Sequence, residues 1–101
     1  MPFVHIVALK FKAEVSQTEI EDIFQGLKNL LSANLIPGLV EYTGGPYDSP
    51  EGLNKGFTHA FVMKFVDRES RDNYFPHPEH RKIVDLIVPR VDDSMCFDYE
   101  V

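Results

Sequence analysis

The sequence predicts a small α+β domain whose strands and helices follow the order β-α-β-β-α-β. Alternating apolar residues mark strand-like runs at the start, in the middle and at the end of the 101-residue chain. Between these runs, apolar residues recur at helical spacing, first after Ser16 and again after Pro78. This order is a split βαβ arrangement. We expect it to form a single domain spanning residues 1–101.

The first strand is predicted at residues 3–11, where side chains alternate between two faces. One face carries Phe3, His5, Val7, Leu9 and Phe11, and the other carries Val4, Ile6 and Ala8. Both faces are mostly apolar, and the helices of the domain can cover only one side of the sheet. An apolar content of 44% is also high for a chain this short, which leaves much of its surface exposed. We therefore expect a homodimer.

The first helix is predicted to begin at Ser16, because Ser16 and Glu19 have the spacing of a capping box. An apolar stripe follows at helical spacing and is expected to enter the core; it comprises Ile20, Ile23, Phe24, Leu27, Leu30 and Leu31. Pro37 and Gly38 predict a turn into a second strand at residues 39–43. Residues 44–56 are predicted to form a loop.

The third strand is predicted at residues 58–66, with His59 and Phe61 on one face. Asp67 is placed to cap a short helix that runs to about Tyr74. Two prolines, Pro76 and Pro78, then break the helical pattern before a second helical segment begins. The last strand is predicted at residues 95–101, where Met95, Phe97, Tyr99 and Val101 alternate with Cys96, Asp98 and Glu100.

Charge and composition exclude several classes of partner. The net charge is −6, with no basic stripe for nucleic acid and no polybasic segment for anionic lipid. No apolar run approaches 18 residues, and no signal-peptide pattern opens the chain. We expect a cytoplasmic protein that binds neither nucleic acid nor membrane. The one cysteine, Cys96, has no partner for an internal disulfide and is expected to be a small strand residue.

The segment from Tyr74 to His80 carries the chemistry, because it sets a phenol and two imidazoles within seven residues at the start of a helix. Imidazole titrates near neutral pH and serves as acid, base or ligand. Several histidines pointed at one cavity would therefore indicate a site. His77 lies between two prolines, and we expect it to fix the start of the helix through a hydrogen bond to the backbone.

Four stretches in this order resemble the dimeric α+β barrel proteins of the stress-responsive A/B barrel (Dabb) family. They are His5 with Leu9-Lys-Phe-Lys12, Gly56-Phe-Thr-His59, the His-Pro-x-His core between Tyr74 and His80, and Phe97-Asp-Tyr99. The resemblance implies a ferredoxin-like subunit with a four-stranded antiparallel sheet and helices on one face. It also implies that the sheets of two subunits pack into a barrel.

For function, the resemblance implies a polyketide-cyclase type of enzyme that needs no cofactor or metal. Its reaction would be the intramolecular aldol cyclisation of a poly-β-ketone, with Tyr74 and His80 as the catalytic acid–base pair. His5 and His59 match supporting histidines and are expected to bind substrate, with Leu27 and Phe61 beside them. The cyclases of the family carry a tyrosine where this chain has Leu27, so the substrate is expected to differ.

Three further interpretations remain open from the residues alone. The strand histidines, His5 and His59, could simply bridge strand ends by hydrogen bonding. Together with His80 and Glu79 they could instead supply a metal site, although their spacing is not that of a metal motif. Finally, the protein could be a non-catalytic stress-responsive barrel or an apolar small-molecule binder. A structural barrel would be filled by Phe3, Phe61, Phe65, Phe75 and Phe97.

Overall fold

The computed structural model describes all residues from 1 to 101, and its elements follow the predicted order. They are β1 (Phe3–Phe11), α1 (Gln17–Ser32), β2 (Leu39–Pro46), β3 (His59–Phe65), α2 (Arg68–Tyr74), α3 (Pro78–Ile87) and β4 (Val91–Glu100). A 3-10 turn over Val88–Arg90 joins α3 to β4. None of the helices is both long and apolar enough to cross a membrane.

The four strands form one antiparallel sheet in the order β2-β3-β1-β4. The central strand β1 places His5 opposite Met63 on β3 and opposite Asp98 on β4. Residues that face each other across strands point to the same side of a sheet. The three side chains therefore share one face. The topology is ferredoxin-like, which confirms the predicted fold class for the subunit.

The helix α1 begins where its capping box predicts. The Ser16 hydroxyl accepts a hydrogen bond from the Glu19 backbone N–H, and the Glu19 carboxylate accepts one from the Ser16 N–H. Four residues of the predicted apolar stripe are buried: Ile20, Ile23, Leu27 and Leu30. They pack in one core with the odd-numbered residues of β1, which places the helices on that face of the sheet.

The prolines between α2 and α3 divide the second helical region into two helices, as predicted. Asp67 caps α2 by accepting a hydrogen bond from the Ser70 N–H. His77 caps α3, because its Nδ1 accepts a hydrogen bond from the Glu79 N–H at 3.1 Å. The structural role predicted for His77 is confirmed. The break between the helices brings Tyr74, at the end of α2, close to His80 in the first turn of α3.

Two strands are longer than predicted. Gly44, Gly45 and Pro46 continue β2 by pairing with β3, where the sequence indicated a loop. β4 begins at Val91 rather than at Met95, because residues 91–94 pair with the end of β1. Both extensions are polar or glycine-rich. Their strand character comes from the partner strand and not from their own side-chain pattern.

The face of the sheet that the helices leave uncovered is apolar at β4. Met95, Phe97 and Tyr99 on this face are 50%, 61% and 46% exposed. Their neighbours across the sheet on β1 are also apolar, since Phe97 pairs with Ile6 and Met95 pairs with Ala8. A contiguous apolar patch of this kind is typical of a protein–protein contact surface.

Gly38, in the turn before β2, provides a test of how tightly this turn packs on α2. Its φ is 83°, and an added Cβ would lie 2.4 Å from the Ser70 Cβ. We expect Gly38→Ala to lower the free energy of unfolding by at least about 2 kcal/mol, from left-handed backbone strain plus steric overlap. Urea unfolding at a fixed protein concentration measures the change.

Gly52 is the matched control for the Gly38 substitution. It also has a positive φ, of 67°, but an added Cβ would meet nothing within 4 Å. Gly52→Ala should therefore lose only the backbone strain, about 1 kcal/mol. Equal losses in the two variants would contradict the tight contact between Gly38 and Ser70.

Candidate acid–base site

A cavity of about 250 Å³ lies between the helix-covered face of the sheet and α3. Its wall is mainly apolar and includes Val7, Leu9, Leu27, Phe61, Phe75, Ile83, Val84, Ile87 and Val88. The polar side chains in the wall are His5, Tyr74, His80, Ser94 and Cys96. A largely apolar cavity with a few polar groups is the usual form of a small-molecule site.

His80 is held in one tautomer by the backbone. Its Nδ1 lies 2.8 Å from the Phe75 carbonyl oxygen, and a carbonyl only accepts, so the Nδ1–H must donate. The lone pair of the neutral ring is then on Nε2, which is the form needed for a general base. Burial lowers the pKa of His80, and the hydrogen bond to Phe75 offsets only part of that effect. His80 is therefore neutral at pH 7.

Tyr74 lies directly against His80, with 4.3 Å between the two ring centroids. The residue is only 1% exposed, and its hydroxyl has no hydrogen-bonding partner in the chain. Because no fully occluded polar side-chain atom lacks a partner, this hydroxyl is not fully occluded, and its electrostatic interaction with Cys96 places it on the side of the cavity that Cys96 lines. Burial raises the pKa of Tyr74 strongly, and Cys96 adds to the shift. Tyr74 is therefore a protonated phenol with a free donor.

A second imidazole, His5, faces the cavity from β1 and is tied to a charged pair. Its Nδ1 donates to Asp98 Oδ1 at 2.7 Å, because an ionised carboxylate can only accept. The other oxygen of Asp98 accepts a hydrogen bond from the Arg71 guanidinium. All three side chains are less than one-fifth exposed. His5 is thus oriented like His80, with Nδ1 protonated and Nε2 free.

Cys96 lies in the cavity wall next to these groups. Cys96 as a whole is exposed on the edge strand, but desolvation of its thiol against the cavity wall raises the pKa of the thiol, and the nearby Asp98 adds to the shift. The thiol is therefore neutral at pH 7 and poor as a nucleophile. Its contribution to the cavity is a small apolar surface, in agreement with the prediction of a small strand residue.

The structure brings together five of the six predicted site residues. Tyr74 and His80, predicted to be catalytic, line the cavity with His5, Leu27 and Phe61, which were predicted to bind substrate. His59, the sixth, does not reach it. It lines a separate cavity of about 310 Å³ beneath the loop that joins β2 to β3.

His59 makes contacts that hold the end of the sheet together. Its ring packs on Phe11 at 5.1 Å and on Phe24 at 5.5 Å between centroids. Its Nδ1 lies 2.9 Å from the Thr58 hydroxyl, which in turn hydrogen-bonds to Leu9 and Phe11 of β1. Burial lowers the pKa of His59. These contacts match the interpretation in which a strand histidine bridges strand ends.

The structure also separates the three histidines of the metal interpretation, and it leaves the cavity beside Tyr74 and His80 unfilled by the phenylalanines of the structural-barrel interpretation. His5, His59 and His80 do not converge, and no three potential ligands lie close enough together to hold a metal ion. Glu79 instead pairs with Lys82 at 3.0 Å. Among the phenylalanines expected to fill a structural barrel, only Phe61 and Phe75 line the cavity. Phe97 lies on the opposite face of the sheet, which corrects its predicted place.

Sequence reasoning missed Asp98 and Arg71 as members of the site. The alternation of the last strand places Asp98 and Cys96 on one face, but it does not say which residue of β1 they oppose. That information comes from the long-range pairing of β1 with β4. Arg71 gave no signal at all, because an arginine in a short exposed helix is ordinarily a solvated surface residue.

The fold and the site together define a ferredoxin-like α+β protein with a tyrosine–histidine pair in a mainly apolar cavity. The chain belongs to the Stress responsive A/B Barrel Domain (Dabb) family, whose pattern matches residues 3–101. The family resemblance seen in the sequence is confirmed.

Two relatives and two solved structures align over nearly the whole chain. Stress-response A/B barrel domain-containing protein HS1 of Arabidopsis thaliana is 31% identical, over 98% of this chain and 89% of that protein. Olivetolic acid cyclase of Cannabis sativa is 28% identical, over 98% and 96%. The hydroxynitrile lyase of Passiflora edulis has a TM-score of 0.89 at 26% identity, over 99% and 93%. A dimeric ferredoxin-like protein of unknown function from Jannaschia sp. CCS1 has a TM-score of 0.87 at 27% identity, over 100% of both chains.

The lowered pKa of His80 predicts its pH behaviour. The ring should stay neutral to a lower pH than free histidine, whose pKa is about 6.5. Below that pH the unfolded chain binds a proton at His80 before the folded chain does. The contribution of His80 to stability is therefore complete above about pH 6.5 and falls as the pH drops towards its folded pKa.

An NMR titration of the histidine Cε1–H signals measures this pKa. The missing signal in His80→Gln assigns the resonance, and the same titration in urea supplies the unfolded reference. A midpoint for His80 at or above that of the unfolded chain would contradict the desolvated environment.

Proposed function

We propose that the protein is a cofactor-independent enzyme that performs acid–base chemistry on a carbonyl substrate in the cavity. The reaction we propose is of polyketide-cyclase type, the intramolecular aldol closure of a poly-β-ketone. The observation that carries the proposal is the Tyr74–His80 pair. A neutral imidazole with a free Nε2 lies against a phenol with a free hydroxyl, inside an apolar cavity.

The first step is removal of a proton from the carbon between two carbonyl groups. His80 Nε2 takes this proton, and the electron pair of the broken C–H bond is delocalised to form an enolate. The Tyr74 hydroxyl donates a hydrogen bond to the enolate oxygen. A base and an oxyanion donor each contribute about 10²–10⁴-fold to such a step. The raised pKa of Tyr74 suits this role, because the phenol keeps its proton while it stabilises negative charge.

The second step forms the ring. The enolate carbon attacks a distant carbonyl carbon of the same chain, a C–C bond forms, and the carbonyl oxygen becomes an alkoxide. The protonated His80 returns its proton to this oxygen, so the catalyst is regenerated without any added reactant. The apolar wall determines which carbonyl lies near the enolate carbon, and holding the reacting atoms in place is itself a large part of catalysis.

The size of the cavity limits the substrate. Its volume of about 250 Å³ lies just below the range of about 300–1,000 Å³ that is usual for drug-sized ligands. We therefore propose a short poly-β-ketone with a small apolar tail. Leu27 is fully buried behind the cavity wall, so this position keeps the wall apolar and provides no hydroxyl for the substrate. The similarity to olivetolic acid cyclase supports the reaction class.

We also propose that the protein forms a homodimer through the uncovered face of the sheet. The apolar side chains of β4 on this face have no cover within the chain. The similarity to a dimeric ferredoxin-like protein supports this arrangement. The sheets of two subunits would then pack face to face, with the acid–base cavities on the outer, helix-covered side of each sheet. We propose the cytoplasm as its location.

Substitutions at the acid–base pair test the catalytic proposal. We expect His80→Ala to lower kcat about 10²–10⁴-fold and Tyr74→Phe to lower it about 10²–10³-fold, because each removes one proton-handling group. Chromatography of the ring product formed from a synthetic poly-β-ketone thioester measures turnover. Calorimetric titration with an alkyl resorcylic acid measures binding.

The control is His77→Asn, three residues before His80 and outside the cavity. Asparagine also caps helices, so this variant should keep both the fold and full activity. If the wild-type protein binds the resorcylic acid but converts no poly-β-ketone, the proposal of an enzyme is contradicted. The remaining interpretation is then an apolar small-molecule binder. If the wild-type protein neither binds the resorcylic acid nor converts a poly-β-ketone, the remaining interpretation is the non-catalytic stress-responsive barrel.

The dimer proposal predicts a clear effect of charge on the uncovered face. Phe97→Glu should convert the dimer to a monomer, because it places a carboxylate in the centre of the proposed contact. Leu86→Glu is the control, since Leu86 is similarly exposed but lies on α3. Light scattering coupled to gel filtration measures both masses. A dimeric Phe97→Glu, or a monomeric wild type at high concentration, would contradict the proposed interface.

A further inference from the structure

Arg71 lies at the centre of the contacts that surround the cavity, although it does not line the cavity itself. Its guanidinium hydrogen-bonds to Asp98 and, through Nε, to Asp72 at 2.9 Å. It also stacks over two aromatic rings, with its Cζ 4.3 Å from the centroid of Phe3 and 5.4 Å from that of Phe75. The side chain is only 14% exposed. Arginine is rarely buried to this degree unless it is paired, so we expect Arg71 to have a structural or functional role.

We propose that Arg71 is a positioning residue that orients both cavity imidazoles, His5 through Asp98 and His80 through Phe75. The inference rests on the proposed function, because it assigns the residue that keeps the histidines of that site in their working tautomer.

Arg71 acts on His5 through the two oxygens of the Asp98 carboxylate; we call this the Asp98 branch, and the contact with His80 through Phe75 the Phe75 branch. Asp98 Oδ1 accepts a hydrogen bond from His5 Nδ1–H, and Asp98 Oδ2 accepts one from the Arg71 guanidinium. A carboxylate held at both oxygens cannot rotate about its last bond without breaking one of the two hydrogen bonds. Arg71 thus fixes the plane of Asp98, and Asp98 fixes the proton of His5 on Nδ1. Planar guanidinium groups are well suited to this task.

Arg71 acts on His80 through Phe75, the C-cap residue that follows α2. Its carbonyl accepts the Nδ1–H of His80, and its ring lies 5.9 Å from the His80 ring and 5.6 Å from the His5 ring. The Phe75 side chain is 40% exposed, so the protein core holds it only on one side. The guanidinium of Arg71 is the cation that packs on this ring, and such contacts fix an aromatic ring in place.

The charge balance supports a fixed arrangement rather than a loose surface pair. Burial disfavours the charged form of Arg71, but the hydrogen bonds to Asp98 and Asp72 outweigh it and raise the pKa of Arg71. Removing one partner from a pair this deep would leave a carboxylate uncompensated beside His5. Loss of Arg71 should therefore change the hydrogen bonding of both histidines and not only the stability of the fold.

Arg68 provides a matched control on the same helix. Its guanidinium also lies over the Phe3 ring, at 4.7 Å, but it pairs with no carboxylate and does not contact Phe75. Arg68→Gln therefore removes a cation, a long side chain and a stacking contact without touching either branch. Any effect of Arg71→Gln that Arg68→Gln shares is due to charge or helix stability alone.

The experiment reads the tautomer of each histidine by long-range ¹H–¹⁵N NMR, at a pH where each ring carries one proton. Free imidazole in water favours the proton on Nε2, whereas the structure requires it on Nδ1 in His5 and in His80. In Arg71→Gln we expect both signals to move towards the Nε2–H form. In Arg68→Gln and the wild type we expect both to stay in the Nδ1–H form.

Asp98→Asn separates the two branches. It should release His5 while leaving His80 in the Nδ1–H form, because the Phe75 branch does not pass through Asp98. If Arg71→Gln does not fold, the double variant Arg71→Gln/Asp98→Asn removes both charges and takes its place, with both histidines again expected to move. Unchanged histidines in the folded Arg71 variant, or an equal change in Arg68→Gln, would overturn the proposal.

Turnover gives an independent readout. Because a displacement of about 1 Å in a catalytic group can cost on the order of 10²-fold in rate, we expect Arg71→Gln to lower kcat about 10- to 100-fold with little change in KM. Arg71→Lys, which keeps the charge but not the planar fork, should recover only part of the rate. A wild type with normal tautomers but no turnover would overturn the proposed function and not the role of Arg71.

Discussion

The register between β1 and β4 is the constraint on which the site depends, because it places His5 opposite Asp98. Side chains alternate along a strand, so a slip of one residue would move Asp98 to the other face of the sheet. His5 would then have an unpaired ring nitrogen in an apolar wall, and Arg71 would lose its buried partner. The alternation of β4 favours this register, because it pairs the apolar residues of β4 with those of β1 on the uncovered face, Phe97 with Ile6 and Met95 with Ala8.

The second requirement is a break in the chain between Tyr74 and His80. In one continuous helix, residues six apart lie on different faces, since neighbouring side chains are three or four residues apart. Pro76 and Pro78 interrupt the helix, and His77 starts the next one by capping it. The phenol at the end of α2 and the imidazole in the first turn of α3 then pack against each other, with their ring planes tilted by 50°. The carbonyl of Phe75, the C-cap of α2, is thereby free to hold His80.

The sequence was sufficient for features set by local patterns, and insufficient for those set by distant pairing. The capping box of α1, the break between α2 and α3 and the capping role of His77 all follow from residues within a few positions of each other. His5 and His59 look alike in the sequence, since each sits in an apolar strand run. Their different places follow from where each strand meets its neighbours: His5 lies beside Asp98, whereas His59 lies at the sheet end against Phe11. No local pattern contains that information.

The last strand links the site to the proposed assembly. Because its side chains alternate, β4 gives Cys96 and Asp98 to the cavity side and Met95, Phe97 and Tyr99 to the uncovered face. β4 is also an edge strand, hydrogen-bonded on one side only, so it is among the less restrained parts of the sheet. In the proposed homodimer, a second subunit would cover the outer side chains of the strand that carries Asp98. Holding β4 in place would then also hold the carboxylate between His5 and Arg71, so dimer formation and the geometry of the acid–base site would depend on the same ten residues.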